Sequence, residues 1–191
     1  MKLAFIFTNH MVFQANKPVR IFGEGKGNIE IRFNENSYKG VSDTEEWCIE
    51  LPAMEYGGPY EVYIKLNEEE FILSDVYIGE VFFAMGQSNM EMPLYRADGG
   101  LDDSEHADCD GIRLFTVPRQ LKYNTPRYGW HFEKKYCEDT PWQLCDSENS
   151  KHFSALGYYT AKGLYKALGV QIGVISCNWG GTPIETYIDR E

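Results

Sequence analysis

Ser88 sits in the stretch Met85-Gly-Gln-Ser-Asn-Met-Glu-Met-Pro93, directly behind the apolar run Tyr77–Ala84. A serine oxygen becomes a useful nucleophile when a rigid strand aims it and a tight turn exposes it. Gly86 supplies the backbone freedom that such a turn asks for. N–H groups just beyond the turn can face a developing oxyanion, so the chemistry on offer is acyl transfer. The same residues also support a plainer reading. Ser88 and Glu91 have the spacing of a capping box, in which the serine merely starts a short helical turn.

A second glycine turn, Asn178-Trp-Gly-Gly-Thr-Pro-Ile-Glu185, follows another apolar run. Thr182 as cap, Pro183 at the first helical position and Glu185 three residues on predict a helix start. Gly180 and Gly181 lie just before it, where free N–H groups favour negative charge. A strand-to-helix turn that simply needs small residues would use the same glycines. Trp179 is expected to pack beneath this turn, and Glu185 to reach back to Thr182. Neither turn contains a histidine; the four in the chain are His10, His106, His131 and His152. His131, Cys137, Cys145 and His152 lack the close paired spacing of a zinc site, so no metal is expected.

Two apolar strands must hold these turns. Tyr77–Ala84 and Val170–Ser176 are apolar at nearly every position, the pattern of strands covered on both faces. Between them Ser154 caps a predicted helix whose Leu156, Tyr159, Leu164, Ala167 and Leu168 share one face, and Gly169 ends it. Strand, helix and strand in this order predict one parallel sheet, whose C-terminal edge is where active sites form. The turns at Ser88 and Gly180 are therefore expected to meet, although 180 − 88 = 92 residues separate them.

Ile112–Val117 adds another strand, and Gln120 to Lys151 reads as a long surface excursion of the kind that walls a cleft. Upstream, Val19–Phe22, Ile29–Phe33, Trp47–Leu51 and Tyr60–Leu66 alternate apolar with polar residues and are separated by turn-forming clusters. Trp47 and Tyr60 fill the core of this region or, if outside it, offer faces for sugar rings. Glu68-Glu-Glu70 reads as a solvated hairpin turn. The expected fold class is α/β: an N-terminal antiparallel β-sandwich domain over residues 1–75, then the first half of a parallel-sheet domain over residues 76–191.

The 191 residues are 43% hydrophobic and 15% aromatic, enough for a globular core. The formal charge of −11, from 29 acidic and 18 basic residues, argues against nucleic acid or an anionic membrane as partner. No apolar run reaches membrane-spanning length, and the start Met-Lys-Leu-Ala-Phe-Ile-Phe is too short for a signal-peptide core. Five scattered cysteines suit free thiols, which points to the cytoplasm.

Gly86-Gln-Ser-Asn-Met90 with Pro93, Phe153-Ser-Ala-Leu-Gly-Tyr-Tyr159, and Trp179-Gly-Gly-Thr-Pro-Ile-Glu185 together closely resemble the sialate O-acetylesterase family. These are serine esterases of the SGNH-hydrolase type. His10-Met-Val-Phe-Gln14, with Lys17-Pro-Val19 and Gly23, is similar to the β-domain that precedes the family's catalytic domain. The resemblance spans nearly the whole chain in the family's order. It implies Ser88 as the nucleophile, the N–H groups of Ser88 and of Gly180 or Gly181 as oxyanion donors, and Gln87 and Asn89 as substrate contacts. It also implies that the activating histidine comes from later motifs, beyond residue 191, and none of the four histidines present matches those positions. The implied substrate is an O-acetylated sialic acid or a related acetylated sugar, with acetylated xylan as the nearest rival, and no cofactor is required. From a different class, a carbohydrate-binding or interaction module with an incomplete hydrolase half also fits. The sequence leaves the oligomeric state open.

Overall fold

The computed structural model describes residues 1–118 and 140–188. In chain order the strands are β1 (Lys2–Leu3), β2 (Val12–Gln14), β3 (Val19–Glu24), β4 (Gly27–Phe33), β5 (Asn36–Ser42), β6 (Glu46–Leu51), β7 (Gly57–Leu66), β8 (Glu69–Gly86), β9 (Asp108–Thr116), β10 (Gln143–Asp146) and β11 (Ile172–Asn178). The helices are α1 (Ser88–Glu91), α2 (Gly100–Glu105), α3 (Ser147–Ser150) and α4 (Ala155–Leu168), with 3₁₀ turns at Leu94–Arg96 and Ile184–Tyr187. The chain is α/β and dominated by its sheets. Among the described residues, no helix is long and apolar enough to cross a membrane.

β1, β3 and β6 make a small antiparallel sheet. The larger sheet has the order β10-β9-β11-β8-β7-β4-β5, with β2 joined in parallel to β8. This larger sheet is mixed: β8, β11 and β9 run parallel, while β8, β7, β4 and β5 alternate in direction. All four alternating strands predicted upstream are present. Their inward residues, including Ile21, Trp47 and Leu51 from one sheet and Ile31, Phe33 and Ile64 from the other, share one buried cluster. Trp47 is inside, and the Tyr60 ring packs edge-on against Phe33 with centroids 5.3 Å apart, so both aromatics serve packing.

β8 is 18 residues long and belongs to both regions. Its first part pairs with β7; from Glu80 to Gly86 it pairs with β11 in parallel register, as expected for the two apolar strands. The boundary expected between residues 75 and 76 falls inside this strand. Asp75 there accepts from His10 Nδ1 at 2.7 Å and from Arg113 Nη2 at 3.1 Å. Arg113, only 4% exposed, also donates to the Asp110 carbonyl and lies over the Tyr77 ring.

Three expectations need correction. β8 is not covered on both faces. Phe82 packs against the cluster around α4, while Phe83, 58% exposed, and Met85 point away from it and remain open. β2 pairs with β8 only as far as Gly79, and beyond it no strand among the described residues adjoins that edge. Secondly, α4 buries Ala155, Tyr158 and Ala161 and leaves Leu156 and Leu168 exposed. Small residues let the helix approach the sheet closely, which turns the larger leucines outward. Thirdly, the surface excursion is structured where it is described. Residues 119–139 lie outside the described part, but residues 140–151 contain β10 and α3. Trp142 is buried there, its indole N–H donating to the Ile6 carbonyl at 2.9 Å.

Candidate active site

β8 runs out at Gly86, whose φ of +149° is a conformation that side-chain-bearing residues rarely adopt. Ser88 then opens α1. The capping position belongs to Gln87, and no side chain caps the turn. The capping-box reading of Ser88 is thus not realised. Gln87, Ser88 and Asn89 are all exposed, and the Ser88 hydroxyl has no hydrogen-bond partner among the described residues.

The second turn comes to the first because β11 pairs with β8 as far as Asn178 opposite Gly86. The Trp179 N–H donates to the Gly86 carbonyl at 3.0 Å, and the Tyr187 hydroxyl donates to the same oxygen at 2.5 Å. A Cβ placed on Gly180 would stand 3.8 Å from Ser88 Cα. The two turns therefore meet, as parallel strands require. The Gly180 N–H donates to Glu91 Oε2, a contact that the sequence did not suggest. Gly181 has φ +81° and is exposed.

The helix predicted after this turn is a four-residue 3₁₀ turn with Pro183 in the capping position and no side-chain cap. Thr182 does not cap it, because its hydroxyl donates to the Trp179 carbonyl at 2.6 Å within the turn itself. Glu185 is exposed and Trp179 half-buried.

Ser154 does cap α4 as expected, accepting from the Gly157 N–H at 3.1 Å. Its hydroxyl also donates to the Met90 carbonyl at 2.6 Å. The backbone continues this clamp, with Ala155 N–H on the Met92 carbonyl and Leu94 N–H on the Phe153 carbonyl, both at 2.9 Å. The motif at Phe153 thereby grips the far side of the serine turn. A helix cap was legible in the sequence, but its second, long-range partner carries no local signal. α4 is braced against α2 by Asp103, which accepts from the Tyr159 hydroxyl at 2.7 Å and from Lys162 Nζ at 3.2 Å. Burial and the Asp103 carboxylate push the Tyr159 phenol up to about 12.

His10 is held by Asp75 in the middle of β8, and even the nine residues from Tyr77 to Gly86 span about 30 Å of strand. His106 caps the end of α2 beside Asp102, and the His152 ring packs against Tyr95 at 5.3 Å. His131 and Cys137 lie outside the described residues. The Cys145 thiol is buried, which pushes it up to about 11 and away from the thiolate form that a metal or an electrophile would need.

No family model matches the chain. It is 32% identical over 173 residues to the sialate O-acetylesterases of Pongo abelii and Homo sapiens, in each case across 85% of this chain and 31% of the relative. The chain thus spans about a third of the length of these curated relatives. The crystal structure of a carbohydrate acetylesterase from Xanthomonas citri superposes with a TM-score of 0.83 at 29% identity, over 98% of this chain and 42% of that one. Sequence and fold both make the chain similar to the sialate O-acetylesterases and to this carbohydrate acetylesterase.

Proposed function

We propose that the chain forms part of an SGNH-type serine carbohydrate esterase that removes O-acetyl groups from a sugar. Residues 76–191 supply the catalytic half in this reading, and residues 1–75 its β-rich support. Ser88 Oγ attacks the acetyl carbonyl carbon while a histidine takes the hydroxyl proton. The N–H groups of Ser88 and of Gly180 or Gly181 hold the tetrahedral oxyanion. Collapse expels the sugar oxygen, which takes the proton back from the histidine, and water then releases acetate from the acyl-serine. Gln87 and Asn89 flank the serine and meet the sugar. The observation that carries the reading is the approach of Gly180 to Ser88 at the ends of two adjacent parallel strands.

The histidine and its carboxylate partner come, in this proposal, from polypeptide beyond residue 191. The open edge of β8 and the exposed Phe83 and Leu156 are where such polypeptide would seat. The name of the curated relatives favours an acetylated sialic acid as substrate; acetylated xylan is the rival. The four cysteines among the described residues are free thiols, which fits a cytoplasmic protein. The Ser88 hydroxyl, which has no hydrogen-bond partner among the described residues, favours a second reading, in which the chain alone binds acetylated sugar without turning it over.

The test is acetate release from O-acetylated sialic acid and from acetylxylan, by the chain alone and by the gene product that contains it. Ser88→Ala in that product should lower release by at least about 10⁴-fold. Retained release would sink the nucleophile. Turnover by the chain alone would sink the external histidine.

A further inference from the structure

Building on the nucleophile reading of Ser88, we infer that Glu91 is a built-in occupant of the oxyanion donor at Gly180, which an acyl oxygen must displace. The Gly180 N–H donates to Glu91 Oε2. A Cβ on Gly180 would point at both partners, 2.6 Å from Glu91 Oε2 and 3.8 Å from Ser88 Cα. The carboxylate oxygen therefore occupies the side of Gly180 that faces the serine turn.

A carboxylate on that N–H has the charge and hydrogen bond of the tetrahedral oxyanion, and the chemical form of the acetate product. Charge-assisted bonds of this type are short and strong. Glu91 lies one helical turn from Ser88 in α1, so its carboxylate acts at the high effective concentration of a tethered group. Carboxylate and oxyanion cannot share the one N–H, and two negative charges so close repel each other. The Glu91 side chain rotates out as the oxyanion forms. It returns when the acyl group leaves as acetate, and so displaces the product. One consequence is specific to this arrangement: free acetate fails to hold the Gly180 amide while Glu91 is present, and holds it once Glu91 is removed.

The experiment is an acetate titration of the ¹⁵N-labelled chain, following the assigned Gly180 amide, with chloride at matched ionic strength as control. In Glu91→Ala the amide resonance should move even before acetate is added. Acetate should then shift it with an apparent affinity at least about tenfold tighter than in the unmodified chain. Glu91→Gln, which keeps the volume and loses the charge, should move in the same direction and serves if the alanine variant fails to fold. An amide unmoved by either substitution overturns the proposal. So does an equal acetate response with and without Glu91, or no response in any variant. Failure of the nucleophile reading shows elsewhere, as acetate release retained in Ser88→Ala, and leaves the Gly180 amide unaffected.

Discussion

Ser154→Ala removes two hydrogen bonds from one buried hydroxyl. Ser154 is 3% exposed; it accepts from Gly157 N–H at the start of α4 and donates to the Met90 carbonyl beneath the serine turn. Loss of a helix N-cap costs about 1 kcal/mol. Loss of the Met90 bond, which leaves a shielded carbonyl without this donor, costs about 1–3 kcal/mol. Together the substitution should destabilise the chain by about 2–4 kcal/mol. At about 2–4 °C per kcal/mol for a chain of this size, the melting temperature falls by roughly 4–16 °C. Ser154→Gly separates the contributions, because glycine replaces a capping serine at a cost of only a few tenths of a kcal/mol. It should retain the cap contribution and lose the Met90 one. Urea denaturation followed by circular dichroism measures both variants. A loss below about 0.5 kcal/mol in Ser154→Ala would refute the clamp, and an equal loss in both variants would assign all of it to Met90.

Other substitutions test the frame. Gly173→Ala puts a Cβ 2.9 Å from Val12 Cβ and 3.2 Å from the Trp142 ring, so it should cost about 1–3 kcal/mol through overpacking and change tryptophan fluorescence; an unchanged denaturation midpoint would contradict that close approach. Arg113→Met strips the cation from Asp75 in a buried setting, with an expected loss of about 3 kcal/mol, the low end because the Asp75 side chain is 29% exposed. A double-mutant cycle with Asp75→Asn should return a coupling above about 0.5 kcal/mol, and additive effects would refute the pairing. The Glu80 carboxyl is held below its ordinary value by the Tyr56 hydroxyl first and the Gln14 amide second. A lowered folded-state value means stability that is complete above the ordinary carboxylate range and fades as pH falls through the lowered one. The melting temperature should therefore fall less steeply with acid in Glu80→Gln, and parallel slopes would contradict the contact. Tyr159 should ionise only near pH 12 in an ultraviolet titration, and titration at an ordinary phenol value would contradict the burial of the phenol and its contact with Asp103.

The parts legible in the sequence were those fixed by local rules. Alternation in Val19–Phe22 and Ile29–Phe33 reflects a buried sheet face, and Ser154 and Gly169 mark helix ends because their preferences act within a turn. β5 was missed because Asn36-Ser-Tyr-Lys-Gly-Val-Ser42 has no fully buried residue; it is an edge strand held by pairing to β4. β10 was missed because its four residues are too few to show a period. The outward Leu156 was misread because it takes tertiary packing to decide which apolar stripe of a helix meets the sheet. At the site, the meeting of Ser88 and Gly180 was predictable from strand topology. The Glu91 contact and the Met90 bond were not, since each joins residues more than sixty positions apart.

The pairing of β8 with β11 joins positions 80 and 172, so 172 − 80 = 92 residues must be added before the older strand finds its partner. At roughly 5–20 residues per second, synthesis leaves that edge waiting roughly 5–18 s. Throughout that interval Phe82, Phe83 and Ala84 form an apolar strand with free backbone groups, a template for any neighbouring nascent chain. Slower translation lengthens the wait. High yields of this protein should therefore depend less on the stability of the finished sheet than on a chaperone that shields β8 until Asn178 has been made.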